Sequence, residues 1–422
     1  MHKTLSPYLQ VFISRTMAVM LLLGFSSGLP LALTSGTLQA WMAVSGVNIK
    51  TIGLFALMGI PYTLKFLWSP LMDRFTPPLF GRRRGWMLLT QAGLMLCIAA
   101  MASGDPAGSP LALAAVALGT AFFSASQDIV VDAYRTDILK EEERGAGVAV
   151  FVTGYRIGML VSGALAMILS VQIGWHAVYL LMALAMGIGM LAALAAPEPH
   201  NGIHPPRTIA AAVTGPLKDF FSRPRAGLIL LLLVLYKLGD AYAGTMTTAF
   251  LIRGAGFTAA DVGVVNKGFG MAAVIIGAMF GGSLMVRMGL YRALMTFGIL
   301  QGISILSFVP LAYIGKSWGM MVFAIGLENL CGGMGTAAFV ALLMALCNLD
   351  FSATQYALLS SLSALARVFI TPTSGYIVAL AGWGEFFLFA AATAAPGLFL
   401  LQHLRVDVTL LAHREPSGRS GS

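Results

Sequence analysis

Leu228-Ile229-Leu230-Leu231-Leu232-Leu233-Val234-Leu235 runs eight apolar residues without a break and continues into Tyr236-Lys237-Leu238-Gly239-Asp240. A strand of a membrane barrel alternates apolar and polar residues, so the run excludes one. The apolar stretch around it extends over residues 226–252. A helix needs ~20 apolar residues to cross the ~30 Å hydrocarbon core, and this stretch supplies them. Backbone groups in lipid are satisfied only within a helix or a closed barrel. The stretch therefore predicts a transmembrane helix, and one that keeps two charges inside the hydrocarbon.

The same reading extends outward over the whole chain. Apolar stretches fall near 17–41, 51–71, 86–103, 110–134, 146–170, 175–196, 226–252, 261–285, 293–314, 317–346, 355–380 and 385–404. The 422 residues are 58% hydrophobic and 10% charged, against about 25% charged in a soluble domain. The prediction is an all-α polytopic membrane protein of twelve spans, with no room for a soluble domain. Pro30, Pro61 and Pro372 fall inside spans, where kinks and close packing are tolerated. The first run is about 25 residues long, against 7–15 for the core of a secretory signal, so no cleavable leader is expected. Cys97, Cys331 and Cys347 form no disulfide framework.

The net charge of +9 would by itself suit nucleic acid. Its placement argues against that. One face collects 18 Lys and Arg, including Arg74, Arg82, Arg83, Arg84, Arg135 and Arg144, while the other has Lys50, Arg253 and Lys316. This is the positive-inside bias, and it puts both termini in the cytosol. No folded basic surface for nucleic acid is visible.

The one long polar connection carries Pro197, Pro199, Pro205, Pro206, Pro216 and Pro224 and divides the spans six and six. The expected organisation is an N-terminal six-helix bundle over 1–197, a cytosolic linker over 198–225, a C-terminal bundle over 226–405 and a cytosolic tail over 406–422. Pro216–Phe221 reads either as a short surface helix or as plain linker. The halves echo each other: Leu71-Met72-Asp73-Arg74 against Leu284-Met285-Val286-Arg287, and Arg156 against Arg367, each with Ser-Gly downstream. Two parallel six-helix repeats leave such traces, and transporters built this way hold substrate near the midplane, with alternating access.

Nine ionisable residues lie inside spans: Lys65, Asp128, Asp132, Arg156, Lys237, Asp240, Lys267, Glu328 and Arg367. Spans three, six, nine and twelve have none, as peripheral helices of a twelve-helix transporter would. Charge in hydrocarbon is expensive and is kept mostly for function. Counted along their helices, Lys65, Asp128 and Arg156 reach one layer. Asp128 and Asp132 share a face. Lys237 and Asp240 have the spacing of an intrahelical pair. Lys267 and Glu328-Asn329 suit an outer mouth or gate. The set reads either as a substrate and proton site or as ion pairs that hold helices together. Carboxylates are candidate proton carriers because burial and neighbouring cations pull their acidity in opposite directions. Gln39 and Gln127 are candidate polar ligands. Tyr62, Tyr155 and Tyr236 suit packing or a sugar ring. Asp73 and Arg74, in a basic turn with Gly81-Arg82-Arg83-Arg84, suit a latch that caps a helix end.

These residues carry a resemblance. The turn after span two resembles the signature of the major facilitator superfamily, lengthened by Phe75–Phe80. More specifically, Gly24-Phe25-Ser26-Ser27-Gly28-Leu29-Pro30, Thr34-Ser35-Gly36-Thr37-Leu38-Gln39-Ala40-Trp41, Lys65-Phe66-Leu67-Trp68-Ser69-Pro70 and Ser126-Gln127-Asp128-Ile129-Val130 are similar to the AmpG muropeptide permeases. So are Tyr236-Lys237-Leu238-Gly239-Asp240, Val264-Val265-Asn266-Lys267 and Glu328-Asn329-Leu330-Cys331-Gly332-Gly333-Met334-Gly335. The resemblance implies two pseudo-symmetric bundles in the bacterial inner membrane. It implies proton-driven import of N-acetylglucosaminyl-1,6-anhydro-N-acetylmuramyl peptides for cell-wall recycling, a step that feeds β-lactamase induction. Some family members carry two further C-terminal spans, and this chain ends after twelve.

The expected partners are thus the muropeptide, the proton and the bilayer, with a monomeric chain, no cofactor and no catalysis. Cations at Lys65, Arg156, Lys237, Lys267 and Arg367 suit peptide carboxylates. Gln39, Gln127 and Asn329 complete the substrate candidates. Asp128, Asp132, Asp240 and Glu328 are the proton candidates. Two rival readings remain: an exporter of the same fold, and a membrane prenyltransferase suggested by Asp128-x-x-x-Asp132, which lacks a second acidic element.

Overall fold

The computed structural model describes residues 14–69, 72, 75–139, 144–198, 221–222, 225–346 and 352–412. Asp73, Arg74, most of the linker with residues 216–220, Cys347 and residues 413–422 lie outside them. All regular structure among the described residues is helical. Eleven helices are long and apolar enough to cross a membrane. The remaining segment, Ile49–Leu64, is shorter. It is broken by a 3₁₀ turn at Phe55–Gly59, just before Pro61. Proline offers no backbone N–H to the ladder, which favours such a break.

We number the twelve segments in chain order: first Arg15–Val44, second Ile49–Leu64, third Arg82–Ala102, fourth Pro110–Arg135, fifth Val150–Ile173 and sixth Trp175–Ala195. The C-terminal six are Ala226–Gly254, Ala259–Met285, Leu290–Ile314, Trp318–Ala345, Leu359–Ala381 and Trp383–His403.

The chain forms two compact units whose limits do not follow chain order. Of the described residues, one holds those within 14–47, 58–198 and 259–263; the other holds those within 48–57, 221–258 and 264–412.

The first unit is built on a glycine seam. Gly24 and Gly28 of the first span pack on the backbone of Phe151 and Tyr155. Gly154 and Gly158 of the fifth span pack on the carbonyls of Leu21 and Phe25. Membrane helices associate without a hydrophobic drive, so small residues that let backbones touch do that work. Around the seam Met17, Met20, Leu23, Met87, Val130, Val131, Tyr134 and Ala193 form a buried core. Leu96, Leu111, Leu184 and Leu191 stay outside it, at 66–85% exposure, as lipid-facing residues would. One end of this unit is pinned by charge. Arg83 is buried and donates from Nε to Asp137 Oδ2 at 2.7 Å. Both oxygens of Glu198 accept from the first N–H groups of the third span, Arg83 N at 2.9 Å and Arg84 N at 3.0 Å. Arg15 and Arg84 donate to the last carbonyls of the sixth span, Ala195 O and Leu194 O. Acids at a helix start and cations at a helix end both favour the macrodipole. Arg83 and Arg84 of the basic turn therefore have a bonding role as well as a topological one.

The second unit has its seam elsewhere. Gly277 of the eighth span packs on the Leu330 backbone, and Gly333 of the tenth on the Val274 carbonyl. Gly281 lies so near Met334 that a Cβ would meet its Cα at 2.7 Å. A second core of Leu232, Leu233, Tyr236, Leu294, Phe297, Phe339 and Leu342 fills the space behind it. Gly53 belongs to this unit too, where a Cβ on it would stand 2.7 Å from Gly375 N.

Candidate functional site

Each unit contains one charged cluster, and four of the candidate cations sit where a helix departs from regular α geometry. Lys65 opens the 3₁₀ turn Lys65–Leu67. Lys237 falls between the helices Ala226–Tyr236 and Leu238–Ala249. Lys267 lies in the π-helical stretch Gly263–Phe269, and Arg367 in Ala366–Ile370. Such interruptions recur at functional sites because they re-aim side chains and loosen the backbone ladder.

In the first unit the charges that act on Asp128 are Lys65 and Asp132. Asp128 makes no direct ion pair among the described residues, so Lys65 acts on it through space. Trp68, just after the turn Lys65–Leu67, ties this stretch to the fourth span by donating from Nε1 to Ser126 Oγ at 3.0 Å. Asp132 is half solvent-exposed and accepts from Arg135 at 3.0 Å. Arg135 in turn lies 4.8 Å from the Phe151 ring centroid. Arg156 is exposed on the fifth span and is not among the charges acting on Asp128. Tyr62 and Tyr155 are close neighbours, and Tyr62 also feels Asp128. Gln39 is half-buried on the first span.

Gln127 is buried, and its amide donates to Ser26 Oγ at 3.2 Å and Ser27 Oγ at 3.3 Å. Gln91 of the third span donates to the same Ser26 Oγ at 3.4 Å. These bonds tie helix to helix beside Asp128.

In the second unit the structure joins what the sequence left as two groups. Lys237 Nζ donates to Asp240 Oδ2 at 3.2 Å and to Thr336 Oγ1 at 3.0 Å, as the spacing predicts. Glu328 feels Asp240, Lys237 and Lys267 together. Lys267 and Glu328 thus share a cluster with the Lys237–Asp240 pair. Asn329 Nδ2 donates to Glu328 Oε2 at 2.8 Å and to Ile325 O at 2.9 Å. Arg367 is exposed. Tyr236 donates to Leu294 O at 2.9 Å and stacks on Phe339, so its hydroxyl serves packing.

Three features escaped the sequence. Gln91 and Gln301 are buried on the third and ninth spans, which carry no ionisable residue inside the hydrocarbon. Thr336 joins the second cluster only through the tenth span's packing. Tyr242 with Thr373 at 2.8 Å and Thr245 with Thr371 at 3.1 Å form two hydroxyl pairs between the seventh and eleventh spans.

A multi-pass helical chain with partly buried charge of both signs in each unit has the makeup of a membrane transporter. Residues 20–315 match the Major Facilitator Superfamily. The fold is that of the nucleoside transporter NupG, at a TM-score of 0.75 and 11% identity, over 92% of this chain and 99% of that one. It is also that of a POT family transporter solved with a conjugated peptide, at 0.71 and 14%, over 94% and 97%. The anhydromuropeptide permease of Escherichia coli K12 is 57% identical over 94% of this chain and 81% of its own length. A putative transporter of Rickettsia felis, AmpG 4, is 35% identical over 92% and 96%. The chain belongs to the anhydromuropeptide permease family within the major facilitator superfamily, and it is a transporter, not an enzyme.

Proposed function

We propose that this protein imports N-acetylglucosaminyl-1,6-anhydro-N-acetylmuramyl peptides with protons across the bacterial inner membrane, for peptidoglycan recycling, with both termini cytosolic. The observation that carries the reading is 57% identity over 94% of the chain to a protein named for that substrate class. The clusters supply matching chemistry. A muropeptide brings carboxylates, an amine and sugar hydroxyls. Lys65, Lys267, Arg156 and Arg367 are cations placed in or beside membrane-depth helices, and Arg suits a carboxylate through paired N–H donors. Gln39 and Asn329 offer amides to sugar or peptide groups. Gln127 acts one step removed, by fixing the fourth span that bears Asp128.

For the proton, Asp128 is the first candidate. Among the described residues Lys65 acts on it through space and no ion pair holds it, so its charge is less committed than that of Asp240 or Asp132. Asp240 is held by Lys237, and Glu328 accepts from Asn329 and feels two lysines through space. They follow in that order. Asp132 already bonds Arg135 and modulates Asp128. Asp73 and Arg74 are proposed as the latch of the turn after the second segment.

The test is uptake of labelled anhydro-muropeptide by proteoliposomes holding the purified chain. An inward proton gradient is expected to drive accumulation above equilibrium, and a protonophore to abolish it. Gradient-driven efflux without uptake would replace this reading with an exporter.

A further inference from the structure

Gln301 sits on a span without ionisable residues inside the hydrocarbon, yet its side chain is 96% removed from the surface, at 4% exposure. It points at the tenth span, where two glycines one turn apart leave it room. A Cβ on Gly335 would meet Gln301 Oε1 at 2.6 Å. A Cβ on Gly332 would lie 3.6 Å from Gln301 Nε2 and 4.0 Å from Asp240 Oδ1. The amide nitrogen and the carboxylate oxygen therefore face the same small space above Gly332. The other carboxylate oxygen, Oδ2, is held by Lys237 at 3.2 Å. Gln301 Nε2 has no hydrogen-bond partner among the described residues. Buried donors seldom stay unpaired, because desolvation is then uncompensated.

We propose that one water molecule bridges Gln301 Nε2 and Asp240 Oδ1 above Gly332, making Gln301 a positioning residue for Asp240. The space takes a methyl at ordinary contact distance, and it is walled by a donor and an acceptor. A polar space of that size suits water, which needs two to four polar partners. The water accepts from the amide and donates to Oδ1. Lys237 and the bridge then grip opposite oxygens of one carboxylate, which fixes its rotation. A glutamine on a peripheral span thereby reaches the charged cluster of its own unit. The functional weight of this bridge rests on the reading of Asp240 as a proton or substrate group.

The test uses the full chain in lipid and two substitutions. Gln301→Met keeps the length and removes the amide. Gly332→Ala puts a methyl into the space the bridging water needs, at contact distances the neighbours tolerate, so it serves even where the first variant folds poorly. Infrared difference spectra identify the Asp240 carboxylate band by its loss in Asp240→Asn. An O–H band that shifts in H₂¹⁸O is expected in the wild type and absent in both variants, and the Asp240 band is expected to move in both. Maximal muropeptide uptake is expected to fall about tenfold with KM within about twofold, the size of one hydrogen bond to a charged group. An Asp240 band unmoved in both variants overturns the bridge. Moved bands in a protein that takes up no muropeptide uphold the bridge and sink the transport reading instead.

Discussion

The two units place their tightest helix contact on different helix pairs. In the first it joins the first and fifth spans through Gly24, Gly28, Gly154 and Gly158; in the second it joins the eighth and tenth through Gly277, Gly281 and Gly333. The fold repeats, but the rigid element does not. Each seam also bears charge of a different kind. Between Gly154 and Gly158 stands the exposed Arg156, whereas the eighth and tenth spans bring Lys267 to Glu328. Backbone contact fixes helix register more firmly than side chains that can change rotamer. One seam thus carries an exposed cation, and the other brings an acid and a base within electrostatic range. The acids differ in the same sense. Among the described residues Asp128 has no ion-pair partner, while Asp240 is bonded to Lys237 and Glu328 to Asn329.

The largest effect is expected where charge is least committed. Asp128→Asn should abolish proton-driven accumulation of muropeptide while leaving downhill exchange, measured by counterflow in proteoliposomes. Wild-type accumulation would erase the contrast and move the coupling acid to Asp240 or Glu328. Next comes stability in the second unit. Asp240→Asn leaves Lys237 unpaired and should lower the melting temperature in detergent by several degrees. Lys237→Met in the same background should restore most of the loss, because removing both members of a partly buried pair costs less than removing one. Single and double variants melting alike would show that the pair carries no strain when broken. Third, Arg156→Ala and Arg367→Ala should each weaken substrate affinity about tenfold, the worth of a charge-assisted bond, in equilibrium binding to folded protein. An unchanged binding constant would make either arginine structural. The smallest effect is expected at Asp132. It is half-exposed and tied to Arg135 one turn away, and such pairs contribute little. Asp132→Asn should change uptake less than about twofold, so a loss as complete as that at Asp128 would join the two acids into one unit.

Much of this contrast was open to reading along the chain. The apolar runs gave the spans, because lipid imposes one length and one secondary structure. The charges inside them were legible because their cost makes them conspicuous. The pairing of Lys237 with Asp240 followed from helix spacing alone. Three things did not follow. Gln91 and Gln301 carry no charge and look like ordinary polar residues, so only burial reveals them. Glu198 caps Arg83 and Arg84 across 115 and 114 residues, a contact no local pattern encodes. Lys267, Glu328 and Asp240 lie on three helices, and their meeting depends on the glycine seam between two of them. Spacing measures position along an axis; it does not measure which face turns toward which neighbour.

The seam of Gly24, Gly28, Gly154 and Gly158 has a practical corollary for mutational mapping. Alanine is ordinarily the gentle probe, the substitution that removes a side chain and leaves the scaffold intact. Along this line it adds the one atom for which there is no space. A conventional scan would score these four sites as the most sensitive in the unit, and a reader could mistake a steric wedge for a lost transport function.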